Sequence, residues 1–286
     1  MENLPPDGYH TRSTGGLTDE QRAERVVSYD ETAYGFVEMA FAALKADGLL
    51  ASASHASSDA SEALSRLHEG PLLPKRAGKN DPCTTSLNNR VRNSITFARA
   101  LSAFVRNEVC PALGVSRVAY QRRPTMRVHL SGAKAMGKPH ADGLEPYNHQ
   151  PGEVNVWVPL TKVWGSNSLT SERAPGLGDF HAFDAAPGEF VRFDGNRCWH
   201  YTTANDTDRT RVSFDFRVVP IELFDETHRG PSRATRGANG KNAAAADVRL
   251  RETAEDSAAR VNAARVEAEA EAAAAREETS RARDAA

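Results

Sequence analysis

The hydrophobic and polar positions change their period close to residue 118. Before that point, apolar residues recur every three or four positions, as on amphipathic helices; after it they alternate with polar residues, as on half-buried strands. Turn pairs such as Asp142-Gly143 and Pro187-Gly188 separate the alternating segments, which are 118–130, 153–161, 188–194, 197–204 and 209–219. Many short strands without helical spacers predict an antiparallel sandwich or barrel rather than βαβ units.

Helices are predicted for the region that precedes these strands. Residues Thr18 to Gln21 have the spacing of a capping box and should start a short helix. The strongest helical pattern runs from Arg90 to Cys110, before Pro111, and its wide apolar face should pack on a sheet. Two further helices and one basic, proline-containing loop are expected at 31–47, 57–68 and 71–89, respectively.

The chain is therefore predicted to have four parts. These are a flexible N-terminus (1–17), a helical support region (18–115), a mainly β catalytic core (116–225), and a linker with an Ala-, Arg- and Glu-rich tail (226–286). No heptad repeat survives in the tail. A solvated helix or a disordered tail is therefore favoured over a coiled-coil partner helix.

Composition narrows the classes of partner. A chain of 286 residues can bury a sizeable core, and a formal net charge of -2 does not favour nucleic acid or an anionic membrane as the partner. The three cysteines, Cys83, Cys110 and Cys198, are widely spaced and form no CxxC pair. This usage is typical of reduced thiols, so a cytoplasmic protein that acts on a small molecule is expected.

A candidate metal site begins at His140-Ala141-Asp142. Alternate side chains of an extended segment point to the same side, so His140 and Asp142 can converge on one metal ion. The motif is short enough to arise by chance. A third ligand is available at His200, 60 residues later on another strand-like segment. Two histidines and one carboxylate on one face of an octahedron are the ligand set of non-haem Fe(II) oxygenases.

A second element follows at Arg211-Val212-Ser213. Arg211 and Ser213 share one strand face, so a guanidinium and a hydroxyl can hold one carboxylate, such as the far end of a keto acid. Arg209 is a rival anchor, but no serine stands two residues after it. Cys198 could supply a thiolate ligand to the metal, but a buried structural thiol is favoured. His129 is more typical of a buried core histidine than of a metal ligand.

These motifs resemble the Fe(II)/2-oxoglutarate-dependent dioxygenases of the phytanoyl-CoA-hydroxylase-like branch. The resemblance is strongest to the streptomycin-biosynthesis oxygenase group and spans about 120–220, through the segments 153–161, 167–169 and 210–218. It implies a double-stranded β-helix core of the jelly-roll or cupin-like kind. It also implies Fe(II) bound by His140, Asp142 and His200, and 2-oxoglutarate bound by Arg211 and Ser213.

The resemblance implies further roles around the cofactor. Asn155, Asn167 and Arg127 occupy positions where such enzymes place polar groups near 2-oxoglutarate. Asp142 fills the position that is a small residue in halogenases of this class, so hydroxylation or a related oxidation is favoured over halogenation. Tyr201 stands where a glycine is expected and would narrow the pocket near the iron.

The expected activity is O2-dependent decarboxylation of 2-oxoglutarate coupled to hydroxylation of a small polar metabolite in secondary metabolism. Two alternatives stay open. One is a cupin-like metal protein that binds or isomerises a sugar without 2-oxoglutarate. The other keeps the same chemistry but acts on a protein side chain, with the charged tail as a docking arm. Neither the substrate nor the oligomeric state follows from the sequence.

Overall fold

The computed structural model of the chain describes residues 13–51, 58–70 and 81–228, and the backbone of 251–253. The helices are α1 (Asp19–Arg22), α2 (Glu31–Tyr34), α3 (Phe36–Ala46), α4 (Ala60–Ser65), α5 (Pro82–Ser86), α6 (Ile95–Phe104) and α7 (Cys110–Ala112). The strands are β1 (Arg25–Ser28), β2 (Val118–Gln121), β3 (Thr125–His129), β4 (Val154–Pro159), β5 (Thr170–Ser171), β6 (His181–Ala182), β7 (Glu189–Phe193), β8 (His200–Tyr201), β9 (Arg211–Pro220) and β10 (Arg251–Thr253).

The strands form two antiparallel sheets. The main sheet has the order β1-β7-β4-β9-β2-β10, and β3 also pairs with β9; the second sheet has the order β6-β5-β8. An antiparallel bridge between His140 and His200 adds one more segment to the edge of the second sheet. From β3 to β9 the chain passes back and forth between the sheets, with β5 and β6 as a pair of consecutive strands in the second sheet, as in a double-stranded β-helix. The predicted fold class is confirmed by this strand order.

The outer face of the main sheet packs on the helices. Phe214 of β9 points to that side, with its ring centroid 5.1 Å from Phe36 of α3 and 5.5 Å from Phe97 of α6. The apolar residues of β2, β3, β4 and β9 join the same cluster. The wide apolar stripe of α6 therefore buries itself against the sheet, as its sequence pattern indicates.

The inner face of the main sheet faces the second sheet and is polar for much of its area. Side chains alternate along a strand, so Arg211, Ser213, Asp215 and Arg217 share the face opposite to Phe214. All ten residues of β9 are buried. This strand therefore carries a charged inner face and an apolar outer face, both removed from water.

The predicted strand from 118 to 130 is interrupted. Residues 118–121 and 125–129 pair with successive parts of β9, and 122–124 lie between them without a ladder. Pro124 in this gap has no N–H to donate to a ladder, which explains why pairing stops there.

The predicted helices are partly correct. The capping box at Thr18 is confirmed. The Thr18 side chain accepts a hydrogen bond from the backbone N–H of Gln21, and the Gln21 side chain accepts one from the backbone N–H of Thr18. The single helix expected over 90–110 is wrong at its start. A π-helical turn covers Leu87–Val91, and Ser94 then caps α6, with its Oγ accepting from the N–H of Phe97 at 3.0 Å.

Two other segments differ from expectation. The basic loop predicted over 71–89 falls outside the described residues up to 80, but its second half contains α5, whose first turn is capped by Asp81 and begins at Pro82. The tail predicted as helical or disordered lies outside the described residues except at 251–253, which form a strand antiparallel to β2. Within the described ranges, no helix is long and apolar enough to cross a bilayer.

Candidate metal centre

His140, Asp142 and His200 meet between the two sheets. The backbones of His140 and His200 exchange two hydrogen bonds, of 3.1 and 2.9 Å, and this bridge sets the two rings side by side with their centroids 4.5 Å apart. The Nε2 atom of His140 lies 3.4 Å from Oδ1 of Asp142. One ligand atom from each of the three residues lies within 4.8 Å of the other two, so one metal ion can join them.

The two imidazoles are oriented by backbone carbonyls. Nδ1 of His140 lies 2.7 Å from the carbonyl oxygen of Lys138, and Nδ1 of His200 lies 3.0 Å from that of Cys198. A carbonyl can only accept, so each Nδ1 carries the proton and each Nε2 keeps its lone pair for a metal. Burial, and then the nearby His140, lower the pKa of His200 to about 4, which keeps that ring neutral.

The rival ligand Cys198 is not part of this group. It contributes its backbone carbonyl to His200, and its side chain is fully buried. Burial raises the pKa of the Cys198 thiol, so it stays protonated. His129 is also fully buried, with Nε2 lying 3.1 Å from the carbonyl oxygen of Lys134, as a core histidine would be.

The two oxygens of the Asp142 carboxylate have different neighbours. Oδ1 faces His140, whereas Oδ2 accepts from Nε and Nη2 of Arg217, at 2.9 and 2.8 Å, and from Nδ2 of Asn155, at 2.9 Å. Burial would raise the pKa of Asp142, but Arg217 and the neighbouring histidines outweigh it and hold the pKa well below its ordinary value. Asn155, expected near the cofactor, thus lies against the metal-site carboxylate, and Arg217 was not among the expected site residues.

Arg211 and Ser213 lie on the inner face of β9, the face that also carries Arg217. Arg211 is 1% exposed; its Nη1 donates to the carbonyl oxygen of Asn167 at 3.1 Å, and its guanidinium lies 5.8 Å from the ring of Trp157. Nε of Arg211 and Oγ of Ser213 are buried and, among the described residues, have no hydrogen-bond partner. Burial, and then the charge of Arg127, lower the pKa of Arg211 to about 9.

Buried polar groups are normally hydrogen-bonded, and a buried charge normally has a counter-charge. Arg211 has no carboxylate contact within the part of the chain that the structure describes. Together with the unpaired Ser213 hydroxyl, this makes the pair a ready site for an anion. The rival Arg209 is 35% exposed and lies near Glu62 and Asp208 at the surface, outside this site.

Two other expected cofactor residues lie close to this pair. Arg127 on β3 stands directly across from Ser213, and its Nε donates to Oδ1 of Asp215 at 2.6 Å. Asn167 offers its backbone oxygen to Arg211, and its own Nδ2 is buried without a partner among the described residues. The structure therefore brings both to the anion site.

Two tyrosines are neighbours of the candidate metal ligands, Tyr147 in space and Tyr201 in sequence. Tyr147, which the sequence did not single out, lies with its ring centroid 4.4 Å from that of His140 and is 38% exposed. Tyr201 follows His200 on β8, so the two side chains point to opposite sides, and Tyr201 packs on Phe180 at 5.6 Å. The expectation that Tyr201 narrows the iron pocket is therefore wrong.

Comparison with known proteins gives one clear sequence relative. Streptomycin biosynthesis protein StrG of Streptomyces griseus is 40% identical to the chain over 115 residues, which are 40% of this chain and 53% of StrG. The chain thus spans about half the length of the curated relative it matches. The resemblance to the streptomycin-biosynthesis group is confirmed by this match. No family model matches the chain.

Solved structures give weaker likenesses. CytC3 with Fe(II) and alpha-ketoglutarate has a TM-score of 0.41 at 15% identity, covering 76% of this chain and 78% of CytC3. AviO1 from Streptomyces viridochromogenes has a TM-score of 0.38 at 12% identity, covering 73% of this chain and 93% of AviO1. These scores are low, so the fold assignment rests on the strand order alone.

Proposed function

We propose that the chain is a non-haem Fe(II) oxygenase that couples oxidative decarboxylation of 2-oxoglutarate to hydroxylation, or a related C–H oxidation, of a small polar metabolite. The observation that carries this proposal is the presence of two complementary groups of side chains between the two sheets. The first is His140, Asp142 and His200, and the second is buried Arg211, which has no carboxylate contact among the described residues, with the unsatisfied Oγ of Ser213 beside it.

The residues fit the implied metal in number and kind. His140 and His200 would hold Fe(II) through imidazole nitrogens and Asp142 through a carboxylate oxygen, which is the ligand set of non-haem Fe(II) oxygenases. When bound there, Fe(II) supplies the activation of O2, which the protein's own side chains cannot provide. His140 and His200 keep Nε2 free for it, and the low pKa of Asp142 keeps its carboxylate ionised.

The remaining residues would orient the keto acid. Arg211 and Ser213 would hold its far carboxylate and so orient the keto group towards the residues that would hold the metal. Trp157 and Arg211 are both fully buried, with the guanidinium 5.8 Å from the ring, and an ion pair formed there would be stronger than one in water.

Charge supports a ligand that carries a carboxylate. The inner face of β3 and β9 carries three arginines, Arg127, Arg211 and Arg217, against two carboxylates, Asp215 and the adjoining Asp142. Arg127 and Arg217 contact these carboxylates, whereas Arg211 contacts none among the described residues. A ligand with a carboxylate would give Arg211 a counter-charge, and a neutral sugar would not.

Two further observations support the proposed substrate class and the proposed reaction. The match to a streptomycin-biosynthesis protein favours a small polar metabolite of secondary metabolism. The presence of Asp142 as third ligand leaves no ligand position dedicated to halide, which favours hydroxylation over halogenation.

The test is succinate release from 2-oxoglutarate with Fe(II) and O2, measured with a panel of aminocyclitols and amino acids. The wild-type chain should form succinate, and one panel member should accelerate it. Arg211→Ala should lose ~10²-fold or more in kcat/KM for 2-oxoglutarate, since about 3 kcal/mol of charge-assisted bonding is removed. Arg209→Ala, the matched surface control, should behave as wild type.

Three results would contradict the proposal. Equal 2-oxoglutarate affinity in Arg211→Ala would remove the assigned anchor. Metal binding without any succinate would favour the cupin-like alternative, and succinate release coupled only to a protein substrate would favour action on a side chain.

A further inference from the structure

The outer oxygen of the Asp142 carboxylate is fully engaged by nitrogen donors. Oδ2 receives two N–H groups from Arg217, at 2.9 and 2.8 Å, and one from Asn155 at 2.9 Å. Both carboxylate and guanidinium are almost wholly buried, with side-chain exposures of 2% and 6%. Water therefore does not compete for these contacts.

Arg217 is itself held from its other side. Its Nη1 donates to Oδ2 of Asp215 at 2.8 Å, and Oδ1 of Asp215 accepts from Nε of Arg127 at 2.6 Å. The four side chains form one continuous row of alternating charge from β3 across β9 to the metal-site carboxylate. Such a row fixes the plane of the Arg217 guanidinium, because all three of its nitrogens are bonded.

We propose that Arg217 is a positioning residue that makes Asp142 a one-oxygen ligand. By occupying Oδ2, it turns Oδ1 alone toward His140 and the metal position. A carboxylate that bound through both oxygens would take one of the three open positions that a chelating keto acid and O2 require. This inference rests on the proposed metal site and adds the residue that sets its coordination number.

Charge and geometry must be separated in the test. Arg217 carries a positive charge that repels a divalent metal, so a neutral substitution would change two opposing effects at once. Arg217→Lys keeps the charge but replaces the planar fork by a single ammonium group. Its effect on metal binding therefore reports the geometry.

The experiment is an anaerobic titration of the metal-free full chain with Co(II), read by affinity and by the visible absorption of the ion, which depends on coordination number. Arg217→Lys should bind Co(II) ~10–100-fold more weakly than wild type and with an altered spectrum. The matched control is Arg192→Lys, another buried arginine of the same sheet, whose contacts are to Glu20 and the carbonyl of Gln21. The control should keep both wild-type affinity and spectrum.

The alternative outcomes each decide the question. Wild-type affinity and spectrum in Arg217→Lys would overturn the inference while leaving the proposed function intact. If wild type binds Co(II) no better than His200→Ala does, the metal site itself fails, and the proposed function fails with it. If Arg217→Lys does not fold, Arg217→Gln takes its place: loss of the repelling charge alone would strengthen Co(II) binding, so weaker binding supports the inference and wild-type or tighter binding overturns it.

Discussion

The two faces of β9 are equally buried but chemically opposite. Phe214 on the outer face lies among aromatic rings from α3 and α6, whereas Asp215 on the inner face lies between two arginines. Burying the outer face stabilises the fold through the hydrophobic effect. Burying the inner face costs solvation free energy, which ion pairing offsets along most of its length.

The difference between the faces shows where ligands belong. On the outer face, Val212, Phe214, Phe216 and Val218 are apolar and need no hydrogen-bond partner. On the inner face, two groups, Arg211 and Ser213, are buried with polar atoms that no described residue satisfies. A face that costs stability and is left partly unpaired is typical of a functional site, since the missing partners are then supplied by ligands.

The largest expected effect is the loss of metal binding and turnover when the proposed ligand His200 is removed. His200→Ala should bind metal at least ~100-fold more weakly at this centre and give no succinate at metal concentrations that saturate wild type, because only His140 and Asp142 remain as ligands. His181→Ala is the matched control, a histidine of the same small sheet whose Nε2 lies 2.8 Å from Glu24. Metal content and turnover are the measurements, and metal-dependent turnover in His200→Ala would contradict the assignment.

A large effect on stability rather than on chemistry is expected from the outer face. Phe214→Ala should lower the free energy of unfolding by about 3–5 kcal/mol, because it leaves a cavity between the sheet and two helices. The fraction that stays folded should bind metal like wild type. Denaturant unfolding measures the loss of stability, and metal titration of the folded fraction measures metal binding. Weaker metal binding by folded Phe214→Ala would show that the two faces of β9 are not independent.

The smallest expected effect concerns pH. Burial, and then the charge of Arg211, lower the pKa of His129 from 6.5 to about 4. As the pH falls, His129 therefore binds a proton in the unfolded chain before it does so in the folded protein. The free energy of unfolding should decrease between pH 6.5 and about 4, and this residue should account for about 3 kcal/mol at most. His129→Gln, which cannot be protonated, should show a shallower decrease in the metal-free protein.

That pH prediction depends on His129 remaining neutral beside Arg211. Denaturant unfolding of both proteins at several pH values is the measurement. Parallel pH dependences for His129→Gln and wild type would mean that His129 titrates normally in the fold, and that the inner face is more hydrated than its burial indicates.

The long strands of the core were predictable from sequence. β4 and β7 lie within predicted segments, and β9 does so except for its last residue, Pro220. Five or more residues give a period-2 pattern enough length to be recognised. β5, β6 and β8 have two residues each, and two residues have no period. Of these three, β8 lies inside a predicted segment, whereas β5 and β6 were not predicted.

The metal-site carboxylate illustrates a second limit. The alternation of Arg211, Ser213, Asp215 and Arg217 was visible in sequence, so a polar inner face could be inferred. Which anion each arginine meets could not, because Arg217 and Asp142 are 75 residues apart and meet only through the register of β9 against its neighbours. Sequence thus located the charged face but did not assign its partners.

The most direct test of the account is a crystal structure of the chain grown without oxygen in the presence of Fe(II) and 2-oxoglutarate. The account predicts one metal ion bonded to Nε2 of His140, Oδ1 of Asp142 and Nε2 of His200. It further predicts the far carboxylate of the keto acid within hydrogen-bond distance of Arg211 and Ser213. A metal bound elsewhere, or a keto acid whose far carboxylate does not reach Arg211, would contradict it.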